Sequence, residues 1–184
     1  MRNLWTLFRL IMVTVYYCSI ALIAYPLGNT DRRFHRLSRK WAHQMLRIAG
    51  VELIVEGTNN IPNAGHCVYV CNHASLFDIP VLMAGIDDDI RIMYKRELRR
   101  IPIFGWILAT APFIPIDRDN ARNAMEGIER ALAGIQQGSS VIVFAEGTRS
   151  PDGKLGMFKR GAFLLAARAQ KPIVPVAIIG SNAI

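Results

Sequence analysis

The segment Val141-Ile142-Val143-Phe144-Ala145 constrains the fold of this chain more than any other. Five consecutive apolar residues, three of them β-branched, lie between Ser139-Ser140 and the polar stretch Glu146-Gly147-Thr148-Arg149-Ser150. A strand that alternates apolar and polar residues has one face to bury, whereas a run that is apolar at every position must be covered on both. Such a run is expected in a buried parallel strand, and a parallel sheet needs helices on its faces. The residues just upstream supply one. From Asp119 to Gln137 the positions Ala121, Ala124, Met125, Ile128, Leu132 and Ile135 recur at three- and four-residue steps. Glu126 and Arg130 form an i,i+4 pair, and Gly138 suits the C-terminal cap.

The same alternation continues along the chain. Val51 to Val55 reads as a first strand, and His66 to Cys71, after the turn Pro62-Asn63-Ala64-Gly65, as a buried one. Ser75 to Ile86 has helical apolar spacing. Asp87-Asp88-Asp89 lacks the glycine and spaced oxygen ligands of a calcium loop and reads as a solvated turn before a strand at Ile90 to Tyr94. Lys95 to Arg100 is a basic helical turn. Ile101 to Leu108 is an apolar stretch broken by Pro102 and Gly105, suited to a core or to the wall of an apolar channel. Pro112 to Arg118 reads as a short strand that delivers Arg118 at its end, and its two prolines suit an edge or an irregular strand. Pro151-Asp152-Gly153 signals a turn, Phe158 to Gln170 a helix rich in small residues, and Ile173 to Ile179 a last strand. The expected class is α/β, a mostly parallel sheet flanked by helices, preceded by N-terminal membrane-associated helices.

Those N-terminal helices account for a composition that is 52% hydrophobic. Leu10 to Thr30 contains no charged residue, and with Leu4 to Phe8 the apolar stretch is broken only by Arg9. A helix of roughly 20 such residues, rising about 1.5 Å per residue, crosses a hydrocarbon layer of about 30 Å or lies deeply in one leaflet. A cleaved signal peptide is the competing reading, but no clean small-x-small site precedes Pro26, and Arg32, Arg33, Arg36, Arg39, Lys40 and Arg47 follow directly. A cluster of this kind stays on the cytoplasmic side. Asp31 to Ala49, which Asp31 can cap, carries Phe34, Leu37, Trp41, Met45 and Ile48 on one face and most of its cations on the others, the pattern of an interfacial helix, with an ordinary core-facing amphipathic helix as the competing reading. Residues 1–49 are therefore expected to anchor the chain, through an apolar helix at 4–27 and a basic amphipathic helix at 31–49. Residues 50–184 form the globular domain, placed on the cytoplasmic face of the inner membrane.

Charge sorts the partners in the same way. Residues 1–50 hold eight Lys/Arg against one Asp, a net +7, while the remaining 14 Lys/Arg against 13 Asp/Glu leave +1. With no basic stripe interleaved with aromatics in the body of the chain, nucleic acid is excluded as a partner and an anionic phospholipid membrane is expected. Cys18, Cys67 and Cys71 form no CxxC pattern and read as reduced core thiols, with no metal site and no disulfide framework.

Within Asn72-His73-Ala74-Ser75-Leu76-Phe77-Asp78, a histidine and a carboxylate lie five residues apart in a strand-to-helix connection, where α/β folds place their chemistry. If Asp78 turns back to the ring, it takes the proton of one imidazole nitrogen and leaves the other as a base. The alternative for this spacing alone is coincidence. Two further strand ends carry polar loops, Asp117-Arg118 and Glu146-Gly147-Thr148-Arg149, and the carboxyl ends of parallel strands share one edge of the sheet. Arginine offers a fixed fork of donors to phosphate, and Gly147 lets backbone N–H groups approach an anion. Surface ion pairs are the competing reading for either arginine alone.

Asn72 to Asp78 resembles the NHxxxxD motif of the glycerolipid acyltransferases. Phe113-Ile114-Pro115-Ile116-Asp117-Arg118 resembles their second block, Phe144-Ala145-Glu146-Gly147-Thr148-Arg149-Ser150 their third and Val174-Pro175-Val176 their fourth, in family order. Phe158-Lys159-Arg160-Gly161-Ala162 suits the branch of bacterial 1-acylglycerol-3-phosphate (lysophosphatidic acid) acyltransferases. The resemblance implies transfer of a fatty acyl group from acyl-CoA or acyl carrier protein to the sn-2 hydroxyl of lysophosphatidic acid, giving phosphatidic acid without a metal or other cofactor. It implies catalysis by His73 and Asp78, with Arg118, Glu146, Gly147, Thr148 and Arg149 binding substrate. Arg118 and Arg149 would hold the glycerol phosphate, and Glu146 would position the glycerol or the Arg149 side chain. Another lysolipid acceptor, or a non-catalytic membrane-binding module, remain the alternatives. Relatives commonly continue with further sheet and helix beyond the fourth block, so at Ile184 the chain is expected to be either a shortened member or a domain lacking an edge.

Overall fold

The computed structural model describes residues 4–28, 31–62, 65–117 and 121–184. In chain order the elements are α1 (Leu4–Ala24), α2 (Asp31–Ala49), β1 (Val68–Cys71), α3 (Asp78–Gly85), β2 (Ile90–Lys95) and α4 (Phe104–Thr110). They continue as β3 (Ile114–Ile116), α5 (Ala121–Gln136), β4 (Ser140–Phe144), α6 (Gly161–Ala169) and β5 (Ile173–Val176). The five strands pair in parallel in the order β3-β2-β4-β1-β5. Contacts divide the chain into two compact units, one of residues 1–54, 79–87 and 97–112, the other of residues 55–78, 88–96 and 113–184.

The second unit contains the sheet. All four residues of β1 are buried, as are the first five of β2 and four of the five in β4, so the continuous apolar runs do form inner strands. β3 and β5 lie at the two edges and hold the only prolines in the described strands, Pro115 and Pro175, where a missing N–H leaves no inner ladder unpaired. One face of the sheet is covered by α5 and α6. Val68, Val70, Met93, Ile114 and Val141 from the strands meet Ala131, Leu132 and Ile135 of α5 and Ala162, Leu165 and Ala166 of α6. The small residues of α6 let it lie close to α5.

Strand order follows from the long connections. The chain leaves β1 for β2 with a vacant position between them, goes on to β3 at the edge, and returns through α5 to place β4 in that position. The register pairs Cys71 with Phe144 on one side of β1 and with Val176 on the other. Residues two positions beyond β1 and β4 are thereby brought side by side.

In the first unit α1 packs along α2 and also meets α4. The Trp41 indole of α2 donates to the Thr14 hydroxyl at 3.1 Å, near the middle of α1. Among the described side chains of α2, Phe34, Ala42, Leu46 and Ala49 are buried, while Leu37, Trp41, Met45 and Ile48 are only half-buried. Gly50 ends the helix at φ +66°, a left-handed conformation suited to glycine, and the Val51 amide closes onto Leu46 O at 2.9 Å. Arg39 pairs with Asp87. α1 has the length and composition to cross a membrane, with mean hydropathy 2.0, and little of it is buried.

Several boundaries depart from the sequence reading. Val51 to Val55 is not a strand: it enters no ladder, and Ile54 and Val55 are exposed. Its apolar alternation fits a half-buried strand, but no neighbouring strand among the described residues supplies its ladder. α3 starts at Asp78 rather than Ser75, because the Asp78 carboxylate accepts the Ala74 and Ser75 amides and curls the chain before the helix begins. α6 starts at Gly161, since the Lys159 amide first donates to Ala145 O at 2.8 Å. β5 stops at Val176, after which Asn72 takes over its pairing. The acidic turn is less solvated than its composition suggests, as Asp88 accepts the Tyr69 hydroxyl at 3.1 Å and also the Ser140 hydroxyl. Arg118 and the Asp31 side chain lie outside the described residues.

Candidate active site

The site is assembled at the carboxyl ends of β1 and β4. β1 runs straight into Asn72 and His73, and β4 into Ala145 and Glu146. Since Cys71 is in register with Phe144, His73 and Glu146 are neighbours across the ladder. The Glu146 carboxylate accepts the His73 amide at 2.9 Å through Oε1, and the His73 carbonyl accepts the Ser150 amide at 2.8 Å. Both backbone polar groups of the histidine are thus held by the loop after β4. On the other side of β1, the Asn72 side chain donates to Ile178 O at 2.9 Å and accepts the Ile178 amide at 2.7 Å. A side-chain amide here replaces the backbone partner that β1 no longer offers.

The His73 ring is fixed from two directions. Nδ1 lies 2.7 Å from Asp78 Oδ2, and the ring stacks on Phe144 with centroids 3.9 Å apart and planes 17° apart. Asp78 is fully buried, and the His73 side chain retains 12% exposure. Burial alone would raise the Asp78 carboxyl. Hydrogen bonds to its charged form from His73, with the Ser181 hydroxyl and the Ser75 and Ala74 amides also acting on it, outweigh burial and hold it below the usual carboxylate range. Asp78 Oδ1 and the Ser181 hydroxyl are both buried without a hydrogen bond of normal geometry. An ionised carboxylate accepting from Nδ1–H fixes the tautomer and leaves Nε2 able to accept a proton.

Around this pair, Gly147 takes φ +73°, a left-handed conformation that favours glycine, and the Lys159 side chain lies over it. Thr148 and Arg149 are exposed on the loop. The second Glu146 oxygen, Oε2, accepts the Gly156 amide at 2.9 Å. Both carboxylate oxygens therefore hold backbone, one on the histidine and one on the segment after the loop. A cavity of about 180 Å³ adjoins the same strand ends, lined by Met93, Ile116, Ile128, Val143 and Leu165, with Phe144, Gly147 and Lys159 also in its wall.

The structure thus brings His73, Asp78, Glu146 and Gly147 together and leaves Thr148 and Arg149 exposed on the adjoining loop. β3, which precedes Arg118, is separated from β1 by two strands, about 14 Å at the usual spacing. Three contributors escaped sequence reasoning. Phe144 was legible as a strand residue and as the first of the third block but not as the support of the His73 ring, Ser181 lies more than a hundred residues from Asp78, and Gly156 looks like an ordinary turn glycine.

Residues 52–179 match the Acyltransferase family. The chain is 33% identical over 159 residues to a chloroplastic 1-acyl-sn-glycerol-3-phosphate acyltransferase of Brassica napus, covering 82% of this chain and 46% of that protein. It is 35% identical over 131 residues to the 1-acyl-sn-glycerol-3-phosphate acyltransferase of Pseudomonas aeruginosa, covering 71% and 50%. The chain spans about half the length of the curated relatives it matches. Its fold is similar to the crystal structure of the 1-acyl-sn-glycerophosphate (LPA) acyltransferase PlsC from Thermotoga maritima, with TM-score 0.81 and 27% identity, covering 98% of this chain and 76% of that one. With the family matched from residue 52 to 179, across His73, Asp78, Phe144 and the loop from Glu146 to Gly156, this chain belongs to the acyltransferases.

Proposed function

We propose that the protein transfers a fatty acyl group from an acyl thioester, acyl-CoA or acyl carrier protein, to the sn-2 hydroxyl of lysophosphatidic acid, forming phosphatidic acid. The observation that carries this reading is the 2.7 Å contact between His73 Nδ1 and a fully buried Asp78 carboxylate in a chain of this family. An alcohol attacks a thioester slowly until its proton is removed. Nε2 takes that proton as the oxygen adds to the thioester carbonyl; the tetrahedral intermediate then expels the thiolate, which recovers the proton from the imidazolium. Such general-base help supplies about 10²–10⁴-fold, and Asp78 stabilises the imidazolium while it exists. The thioester is already activated, so no Ser or Cys nucleophile is needed.

Arg149, with Arg118, binds the glycerol phosphate, which suits their guanidinium forks. Gly147 and Thr148 shape the loop, and Glu146 serves the site by tying that loop to His73. The apolar cavity beside Phe144 is a fitting place for the acyl chain. Residues 1–49 anchor the protein to the membrane, on its cytoplasmic face, and residues 50–184 form the acyltransferase domain. The packing of the two anchor helices favours insertion in one leaflet over a full crossing. Were α1 to span, Thr14 would sit near the bilayer midplane together with Trp41 and its chain neighbours Arg39 and Lys40. Each such cation costs about 2.5–3.5 kcal/mol at that depth.

The test is acyl transfer to lysophosphatidic acid by membranes carrying the wild type or His73→Ala, with each thioester donor. Turnover is expected to fall about 10²–10⁴-fold with membrane association intact; near-normal turnover in the variant sinks the base assignment. Acceptors with and without the phosphate, compared in Arg149→Ala, test the phosphate role, and equal losses on both would refute it.

A further inference from the structure

We propose that the segment Lys154-Leu155-Gly156-Met157-Phe158-Lys159-Arg160 is a membrane-docking loop that dips its apolar side chains into an anionic bilayer surface beside the site. Leu155 is 68% exposed, Met157 91% and Phe158 42%, three large apolar side chains within four residues of chain without regular secondary structure. Lys154, Lys159 and Arg160 flank them, all exposed. Asp152 at the base of the loop lies 3.9 Å from Lys154, and from Gly153 to Ile184 the sequence contains no Asp or Glu against five Lys/Arg. The +1 balance of residues 51–184 therefore divides into +5 in residues 153–184 and −4 in residues 51–152; Arg168, on α6, pairs with Glu129, and three of the other four cations, Lys154, Lys159 and Arg160, belong to this segment. Apolar tips bracketed by cations are the chemistry of an acyl-headgroup boundary, with Lys and Arg reaching the phosphates.

An acidic partner protein would also meet the cations. A fluid bilayer fits better, because an irregular segment with its tip residue almost wholly exposed inserts into lipid without needing a complementary pocket, whereas a protein interface does need one. The loop is also wired to the site. The Gly156 amide donates to Glu146 Oε2 while Glu146 Oε1 holds the His73 amide, and the Lys159 amide donates to Ala145 O. Lipid contact at Met157 thus brings the bilayer surface to the loop that supports the histidine. The inference rests on the reading above, in which the acceptor is a membrane lipid.

The full chain, labelled with an environment-sensitive fluorophore at Met157→Cys, is mixed with equimolar phosphatidylcholine and phosphatidylglycerol vesicles. Gln136→Cys, on an exposed position of α5, is the control, and the native cysteines are buried. A several-fold rise in emission with a blue shift at 157, absent at 136 and weaker with phosphatidylcholine alone, is expected. Co-sedimentation with vesicles while the probe at 157 stays unchanged overturns the loop and leaves the membrane reading standing; failure to co-sediment overturns both. A response at 157 to acidic carrier protein and none to vesicles also overturns it. As an independent measure, Leu155→Ser/Met157→Ser should lower acyl transfer to acceptor in vesicles several-fold and leave transfer in detergent micelles unchanged; an equal loss in both contradicts docking.

Discussion

The Glu146 carboxylate accepts the backbone N–H of His73 at 2.9 Å, across the ladder between two strands that are far apart in sequence. Its other oxygen holds the Gly156 amide at the same distance. One buried side chain thereby fixes the height of the histidine above the sheet and the path of the segment that follows the polar loop.

Glu146→Gln keeps the shape but replaces one acceptor oxygen by an NH₂ donor, which must face a backbone N–H. A buried donor left unsatisfied costs about 1–3 kcal/mol. The variant is expected to unfold at lower denaturant concentration and to lose turnover more than acceptor affinity. Glutamine behaving as wild type in both measurements would show that the second oxygen is dispensable.

Asp78 provides a pH dependence whose sign follows from its depressed carboxyl. The folded value lies below the unfolded value of about 3.9, so the stability contributed is complete above that pH and is lost as pH falls through the folded value. Acid unfolding of Asp78→Asn should accordingly be shallower than that of the wild type over this range. Its turnover near neutral pH should fall by about 10²–10⁴-fold, because the amide no longer stabilises the imidazolium. Parallel acid-unfolding curves for the two proteins would contradict the assignment.

A Cβ at Gly156 would lie 2.8 Å from Glu146 Oε2, a distance that real side chains do not tolerate. Gly156→Ala is expected to push the carboxylate away from His73 and lower turnover with little change in membrane association. At Gly161 a Cβ meets nothing within 4 Å, so Gly161→Ala is the matched control. Equal activity in the two variants would detach the segment from the site.

Burial raises the Cys67 and Cys71 thiols, and both are enclosed around β1. Thiolate is the reactive form, so alkylation of either residue at about pH 8 should be very slow in the native protein and rapid after denaturation. Fast native modification with loss of acyl transfer would reopen a cysteine-based mechanism.

Much of this was legible in the sequence because it depends on local period. The continuous apolar runs became the inner strands β1 and β4, the prolines that pointed to an edge or irregular strand fall at the edge strand β3, and Gly138 follows α5 at φ +93°. The pairing of His73 with Asp78 was also readable, since it spans only a strand-to-helix turn. Val51 to Val55 misled for the converse reason. Its alternation satisfies the local criterion for a strand, but a strand exists only where another backbone supplies its hydrogen bonds.

Residue types and spacing by themselves determined the α/β class, the apolar and basic N-terminal helices, and the polar loops that end buried strands. Only the tertiary structure decided that β4 inserts between β2 and β1, which sets Glu146 against His73 and Phe144 beneath its ring. It also decided that Asn72 clamps Ile178 and that Trp41 meets Thr14 at the middle of α1. The physical reason is that side-chain pattern encodes which faces must be buried, whereas partners distant in sequence are chosen by the packing of the whole chain. The His73–Asp78 pair could be read as one motif; the shell that holds it upright comes from strands that meet only when the sheet closes around β4.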